Sequence, residues 1–276
     1  MKLRLVKYYD DWKFIFPQEM DNVFDEYWEA IDYLGYDEKE CQKRLRKIIN
    51  QFPECHLDAY NHISISYRNR RKITESYHYA LTSYLIGKNA FPKDFDEKND
   101  KIIWSDMDNR PFLRACQTLG LEYQYRKDFT RAIELYKENL SYNENDNQGI
   151  RYLLLDCYLE LKDYAEFKNL LDKYDDDYSV EFLYGRVIYD VLKNKGKEAM
   201  NLLTEAVNCN KHVLTELAKD RHIEPGPHRI PGEPNLYAGI PVGSIQQAYQ
   251  YWSRNKKTLN LKIIRDFFKY AKKNYA

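Results

Sequence analysis

Apolar residues recur at intervals of three and four along most of the chain, and this period predicts α-helices. In the segment 38–52, four apolar residues fall on one helix face: Cys41, Leu45, Ile48 and Phe52. Asp37 and Glu40 stand at the spacing of a capping box at the start of the same helix. Only 10 Gly and 9 Pro occur in 276 residues, and several crowd between residues 225 and 243. The pattern therefore predicts an all-α fold and disfavours strands.

The segment 112–140 carries a more specific pattern. Six positions match the tetratricopeptide spacing W-x-x-L-G-x-x-Y followed by A-x-x-x-F/Y, with cysteine in the aromatic slot: Cys116, Leu119, Gly120, Tyr123, Ala132 and Tyr136. Gly120 and Ala132 are small enough to let two antiparallel helices approach closely. The polar segment 126–129 between them is typical of a helix–helix connection. These residues predict a helical hairpin and carry no chemistry of their own.

The same plan recurs along the chain. Further copies or looser relatives of the hairpin cover residues 23–52, 58–92, 151–174 and 180–207. Because each hairpin buries its apolar face against its neighbours, repeats of this kind form a stack. The sequence thus predicts a TPR-like, right-handed α-solenoid of about five helical hairpins.

Two segments interrupt the repeats. Residues 91–110 form a polar connection that is long for a hairpin, and Ile102, Ile103 and Trp104 are expected to anchor it. Residues 222–243 cannot form a regular helix, because their prolines lack backbone donors and fix φ. These prolines are Pro225, Pro227, Pro231, Pro234 and Pro241.

After this loop, Ser244 can cap a further helix, and residues 259–276 are expected to form an amphipathic capping helix. The chain divides into N-terminal helical repeats (1–100), tetratricopeptide-like repeats (101–221), the Pro/Gly-rich loop (222–243) and C-terminal capping helices (244–276). We expect these segments to form one continuous solenoid.

Several short runs resemble one known family. The run "NRPFLRA" at 109–115, "NDNQGIRYLLL" at 145–155, "NKHV" at 210–213 and "GSIQQAYQY" at 243–251 are similar to bacterial relatives of the suppressor of tumorigenicity 7 family. The resemblance covers roughly residues 105–260. It implies an α-helical repeat fold, no established enzymatic activity and a scaffold role. The segment 212–234 departs from the pattern of that family.

Charge and cysteine content exclude several classes of function. Lys and Arg total 43, as do Asp and Glu, so no global basic field would recruit nucleic acid or an anionic membrane. Five scattered cysteines without a CxxC motif are expected to be small core residues in a reducing compartment. The N-terminus lacks the apolar run of a signal peptide. We expect a cytoplasmic protein, although an effector exported by a non-cleaved signal would look the same.

In tetratricopeptide stacks the first helix of each hairpin lines the concave groove. The repeat register places seven candidate partner-binding residues there: Arg68, Arg114, Gln117, Gln124, Tyr125, Tyr152 and Asp156. Asp58, Asn61 and Leu159 occupy similar positions, and Arg110 and Arg151 are two further candidates. This mixture suits an extended peptide or a carboxylate, while ordinary solvated helix surface is the alternative interpretation.

Three of these arginines suggest a second function. Arg110 and Arg114 lie one turn apart, and Arg151 opens the next repeat, so together they could bind an acidic or phosphorylated ligand. The alternative is ion pairing between repeats, with Asp106, Asp108 or Glu122, and capping bonds around residues 145–149.

Catalytic and metal sites are not indicated. His222, Glu224 and His228 match no zinc-binding spacing, and we expect a surface loop without metal or cofactor. The chain contains no G-x-S-x-G, Walker or GxGxxG motif. The basic turn 68–72 is weak support for nucleic-acid binding. The sequence predicts a non-enzymatic scaffold that binds a peptide or partner helix, with an anion sensor as the second hypothesis and an enzyme site at 222–243 as the third.

Overall fold

The computed structural model describes residues 2–230, 233–237 and 239–274. The described α-helices are α1 (Phe24–Ile31), α2 (Glu38–Gln51), α3 (Leu57–Asn69), α4 (Ile73–Asn89), α5 (Arg110–Tyr125), α6 (Phe129–Tyr142), α7 (Ile150–Leu161), α8 (Tyr164–Lys173), α9 (Val180–Leu192), α10 (Gly196–Cys209), α11 (Lys211–Leu217), α12 (Ile245–Leu259) and α13 (Lys262–Asn274). Short strands are β1 (Arg4–Tyr8), β2 (Asp11–Ile15), β3 (Arg229–Ile230) and β4 (Glu233–Tyr237). The chain forms two compact units, Met1–Arg151 and Tyr152–Ala276, called unit 1 and unit 2 below.

Unit 1 contains the predicted hairpins α1/α2, α3/α4 and α5/α6. The small-residue prediction for α5 is confirmed, because a Cβ on Gly120 would lie 2.3 Å from a ring carbon of Tyr136. Gly87 of α4 is in equally close contact, because a Cβ at this position would lie 2.2 Å from the Phe112 ring. Close approach of helix backbones thus requires glycine at both positions. The Asp37 cap is also confirmed, since its side chain accepts bonds from the backbone of residues 39 and 40.

The sequence-based exclusion of strands is wrong at the N-terminus. Strands β1 and β2 form an antiparallel hairpin that turns at Tyr9, whose φ is positive. Alternate residues of this hairpin face the core of unit 1: Leu3, Leu5, Trp12 and Phe14. The alternation of buried and exposed residues in these strands extends over only a few positions, so the much longer helical pattern dominated the sequence signal.

The long connection between α4 and α5 holds this β-hairpin in place. The backbone N–H of Trp12 donates to the Lys101 carbonyl at 3.0 Å, and that of Phe14 donates to Asn109 Oδ1 at 3.0 Å. Ile102 is fully buried, as expected of an anchor. The connection and the N-terminal strands therefore form one layer beside the helices of unit 1.

Unit 2 consists of most of α7 together with α8 to α13 and the β3–β4 hairpin. Its core includes Tyr184, Leu203 and Phe268. The predicted Ser244 cap is confirmed, since the side chain accepts from the Gln247 N–H at 3.1 Å. Helix α13 has the expected buried stripe of Ile264, Phe268 and Ala271. Pro231 of the loop and residues 275–276 of the predicted last helix lie outside the described residues.

Candidate functional site

Arg68, the first predicted partner-binding residue, is committed to a buried partner in unit 1. Its Nε donates to Glu122 Oε1 at 2.8 Å, and Glu122 is only 1% exposed. Its guanidinium also lies 4.8 Å from the ring centre of Tyr125, which is 62% exposed. Arg68 therefore joins α3 to α5, and Tyr125 remains available on the surface.

Arg114 pairs with Asp58 at the opposite ends of the same two helices. Its Nε donates to Oδ1 at 2.9 Å, and a terminal nitrogen donates to the second carboxylate oxygen. Asn61 supports the carboxylate, because its Nδ2 donates to Asp58 Oδ1 at 3.1 Å and to the Pro111 carbonyl at 3.0 Å. The pair is bidentate, so the charge of Arg114 is balanced within the chain.

Arg110 and Arg114 share one aromatic neighbour. Their guanidinium groups lie 5.2 Å and 5.8 Å from the Trp104 ring centre, and Arg110 Nε donates to the Trp104 carbonyl at 3.0 Å. Arg151 instead binds Asp146, whose Oδ2 accepts from its guanidinium at 2.9 Å. Asp146 also caps α7 by accepting from the Ile150 N–H at 2.6 Å, as the capping alternative predicts.

The acidic residues expected to pair with Arg110, Arg114 and Arg151 bind other cations. Asp106 and Asp108 bind Lys13 at 3.2 Å and 3.0 Å, and Glu122 binds Arg68. The β-hairpin, which sequence analysis missed, supplies that lysine. Carboxylates near Arg110 and Arg114 in sequence therefore pair with residues that are distant in sequence.

The two predicted glutamines bond within unit 1. Gln117 Oε1 accepts from Gln148 Nε2 at 2.9 Å, and Gln124 Oε1 accepts from the Tyr136 hydroxyl at 2.6 Å. Both side chains thus connect α5 to neighbouring segments.

In unit 2, helix α12 covers the first helices of the hairpins. Asp156 on α7 is 6% exposed, and its Oδ1 accepts from Asn255 Nδ2 of α12 at 2.7 Å. Arg254 of α12 pairs with Glu181 of α9. Tyr152, the remaining predicted residue, donates its hydroxyl to Asp177 at 3.1 Å. The surface predicted to receive a partner helix is occupied in this unit by a helix of the same chain.

A cleft of about 460 Å³ opens in unit 1 at the first turns of α3 and α5. Its lining includes Asp58 and Arg114, two of the positions that the repeat register predicts for the groove. The opposite wall comes from β2, the 3-10 helix Gln18–Val23 and α1. We call this cavity the cleft.

Three exposed apolar side chains line the cleft. Phe24 is 60% exposed, Trp28 is 52% exposed, and Met107 is 71% exposed. Phe24 and Trp28 lie one turn apart on α1, beside the buried stripe that contains Tyr27. Sequence analysis missed them, although two aromatics outside the apolar stripe of a short helix are a signal that could have been found.

Burial sets the protonation of the groups behind the cleft. It lowers the pKa of His56 to about 4 and also lowers that of His62, although Asp58 opposes both effects. Burial disfavours ionised Asp58, yet the Arg114 guanidinium outweighs this and holds the pKa of that carboxyl below its usual value. Near pH 7 the imidazoles are neutral and the Asp58–Arg114 pair is ionised.

Other kinds of site find no support in the described residues. Among residues 2–230, 233–237 and 239–274, no three His, Cys, Asp or Glu side chains are grouped so as to hold a metal ion. His222 stacks on Trp252 with ring centres 3.7 Å apart, and its Nδ1 lies 2.8 Å from Glu216. In the same part of the chain, no helix combines the length and apolar character needed to cross a membrane.

Comparisons with known proteins identify the fold. The family model of the tetratricopeptide repeat matches residues 125–181. A candidate kinesin light chain of Podosopora anserina, with nearly identical TPR-like repeats, superimposes with a TM-score of 0.52 at 12% identity, over 70% of this chain and 96% of that chain. The chain has a tetratricopeptide-like fold. The predicted fold class is thereby confirmed.

Two further structures have tetratricopeptide-like similarity. A variant of the Podosopora anserina protein gives a TM-score of 0.51 at 13% identity, over 70% of this chain and 96% of that chain. YrrB, a TPR protein with an unusual peptide-binding site, gives a TM-score of 0.46 at 12% identity, over 70% of this chain and 92% of that chain. No curated protein sequence matches the chain. The resemblance to suppressor of tumorigenicity 7 relatives stays a prediction.

Proposed function

We propose that this tetratricopeptide-like chain is a non-enzymatic interaction scaffold that binds a peptide segment of a partner protein in the cleft of unit 1. The cleft itself carries the proposal, because it combines an open cavity with exposed aromatic and aliphatic side chains. Its volume of about 460 Å³ falls in the range of cavities that bury ligands. Repeat proteins of this fold class generally act by presenting such surfaces to other proteins.

The apolar wall supplies the expected binding energy. Phe24, Trp28 and Met107 expose large side chains around one cavity, and aromatic residues dominate the affinity of protein interfaces. Burying a side chain of this size contributes about 2 kcal/mol. The loss of translational and rotational freedom on association offsets part of this gain, so several partner side chains must contribute.

The arginines do not favour the anion-sensor hypothesis. Of the three arginines in that hypothesis, Arg114 and Arg151 each bind a carboxylate of the same chain, and Arg110 Nε donates to the Trp104 carbonyl. An anionic ligand at Arg114 or Arg151 would have to displace Asp58 or Asp146, and Asp146 is almost fully buried. We therefore place partner binding at the cleft, and the predicted contacts at Gln117, Gln124 and Tyr125 lie outside its lining.

Site-specific photocrosslinking tests this proposal. A benzophenone amino acid replaces Met107 in one protein and Tyr178 in another, since both positions are strongly exposed but Tyr178 lies in unit 2. After irradiation in an extract of the source cells, the probe at residue 107 is expected to give a discrete protein adduct. The probe at residue 178 is expected to give none of that adduct.

A matched pair of variants distinguishes binding in the cleft from non-specific binding to exposed aromatic side chains. Phe24→Ala with Trp28→Ala should remove the adduct at residue 107, because the apolar wall is lost. Tyr36→Ala should leave the adduct intact, since Tyr36 is 88% exposed and does not line the cleft. Adducts of equal yield from both proteins would exclude the cleft as the binding site.

A further inference from the structure

We infer that the cleft selects a cationic partner, namely a peptide segment with an arginine or lysine beside an apolar residue. This inference rests on the proposed function and adds the chemistry of the partner. It follows from the distribution of charge around the cleft. The groove residues in the sequence suggested the opposite, an acidic ligand for arginines.

The wall of the cleft lies within an acidic part of the chain. Residues 14–38 contain eight Asp and Glu residues and no lysine or arginine. This segment contributes Ile15–Asp21, except Glu19, together with Phe24, Tyr27 and Trp28 to the lining. Glu26 and Glu29 pair with Lys47 and Arg44 of α2, and the other acidic residues leave the segment that lines the cavity with an excess of negative charge.

The cations near the cleft are already paired. Arg114 is bound to Asp58, and Lys13 is bound to Asp106 and Asp108. The carboxylate of Asp21 lines the cleft without an ion pair among the described residues, and Asp25 follows one turn later on α1. Of the lining residues, Asp21, Asp58 and Asp108 are acidic and Arg114 is basic. The cavity thus offers uncompensated negative charge.

The aromatic side chains suit a cation as well as an apolar group. The Phe24 and Trp28 rings lie 6.2 Å apart in an edge-to-face arrangement. Trp is the strongest cation–π partner among side chains, and a guanidinium can stack on its face while bonding to a carboxylate. Trp28 and Asp21 both line the cleft, so one arginine could use the two interactions together.

A buried acceptor without a donor lies next to two lining residues of the cleft. Asn61 is 1% exposed and donates to two lining residues, Asp58 and Pro111. Its Oδ1 has no hydrogen-bond partner among the described residues. An arginine or lysine side chain supplies donors only, which suits the acidic wall of the cleft. An acidic peptide would instead place acceptors against that wall.

Selection from a random peptide library tests the inference with the full chain. Dodecapeptides displayed on phage are selected against the protein, and one consensus peptide is synthesised with a fluorescent label. We expect enrichment of Arg or Lys adjacent to Leu, Ile, Phe or Trp. By fluorescence polarisation, replacing the basic residue of the consensus peptide with Glu should weaken binding more than tenfold.

Two charge reversals on the protein form a matched pair. Asp21→Lys should weaken binding of the consensus peptide about tenfold, because it places a cation in the cleft. Asp32→Lys changes the net charge equally but lies at the end of α1, away from the lining residues, and should change affinity less than twofold. Raising the salt concentration should weaken binding to the parent protein.

The outcomes distinguish the two proposals. Acidic or uncharged peptides that require Trp28 would overturn the inference and retain the cleft as a peptide site. Selected peptides that bind Trp28→Ala as well as the parent would overturn both. If Asp21→Lys and Asp32→Lys weaken binding equally, the preference for basic peptides reflects only the net charge of the protein. That outcome would exclude recognition of the charge by the cleft.

Discussion

His56 shows how one side chain couples local structure to pH. It is the N-cap of α3, and its Nδ1 accepts a bond from the Ala59 N–H at 3.2 Å. A nitrogen that accepts this bond cannot carry a proton, so the cap needs neutral imidazole. Burial lowers the pKa of His56 to about 4, which keeps the side chain neutral near pH 7.

We predict that the free energy of unfolding falls as pH decreases from about 6.5 to about 4. The unfolded chain binds a proton at His56 in this range and the folded chain does not, which costs up to about 3 kcal/mol. His56→Asn keeps a cap acceptor and should give a shallower pH dependence in urea denaturation.

His78→Asn is the control for this experiment, because His78 is exposed on α4 and caps no helix. It should leave the pH dependence unchanged. A His56→Asn protein with the same pH dependence as the parent would show that His56 is not the group responsible.

At the scale of elements, two ion pairs fix α3 against α5 within unit 1. Asp58–Arg114 joins their first turns, and Arg68–Glu122 joins their last turns. Glu122 also accepts a bond from the Ser76 hydroxyl of α4. Neighbouring hairpins are therefore held in register by polar contacts at both ends and by apolar packing between them.

We predict that Glu122→Ala lowers the free energy of unfolding by about 3 kcal/mol, because Arg68 is left without its partner in a mostly buried position. Urea denaturation measures the change. Combining Glu122→Leu with Arg68→Met should recover part of the loss, since the uncompensated charge is removed.

The pair Lys43–Glu40 on the surface of α2 provides the comparison. Glu40→Ala removes exposed ion pairs with Lys43 and Arg44 and should lower the free energy of unfolding much less than Glu122→Ala does. If Glu122→Ala costs no more than Glu40→Ala, the buried pair does not fix the two helices.

At the scale of the whole molecule, the two units present different surfaces. In unit 2, α12 lies on α7 and α9 and buries Tyr251 and Leu259 in the core. In unit 1, the cleft is open and lined by exposed aromatic side chains. The proposed partner site therefore lies in unit 1, while the first helices of unit 2 contact α12 of the same chain.

We predict that the amides of α12 exchange with deuterium as slowly as those of α9, since both helices belong to one core. Mass spectrometry of the full chain measures this, with the segment 175–178 as the rapidly exchanging reference. Exchange of α12 that is orders of magnitude faster than that of α9 would identify α12 as displaceable and would make Asp156 accessible to a partner.

The sequence by itself determined the helices and their pairing in hairpins. A period of 3.6 residues repeats over long segments, and Gly120 facing Tyr136 is a local constraint that any tetratricopeptide-like hairpin must meet. The sequence also placed Asp58 and Arg114 on first helices, because register follows from the repeat.

Only the tertiary structure decided which of these residues meet and which stay exposed. Asp58 pairs with Arg114 and Lys13 pairs with Asp108 across long distances in sequence, and α12 covers Asp156 from the far end of unit 2. The β-hairpin and the cleft depend on such long-range contacts. Helical periodicity is local, whereas a binding surface depends on how separate segments pack, so the sequence pattern identified the repeats but not the cleft.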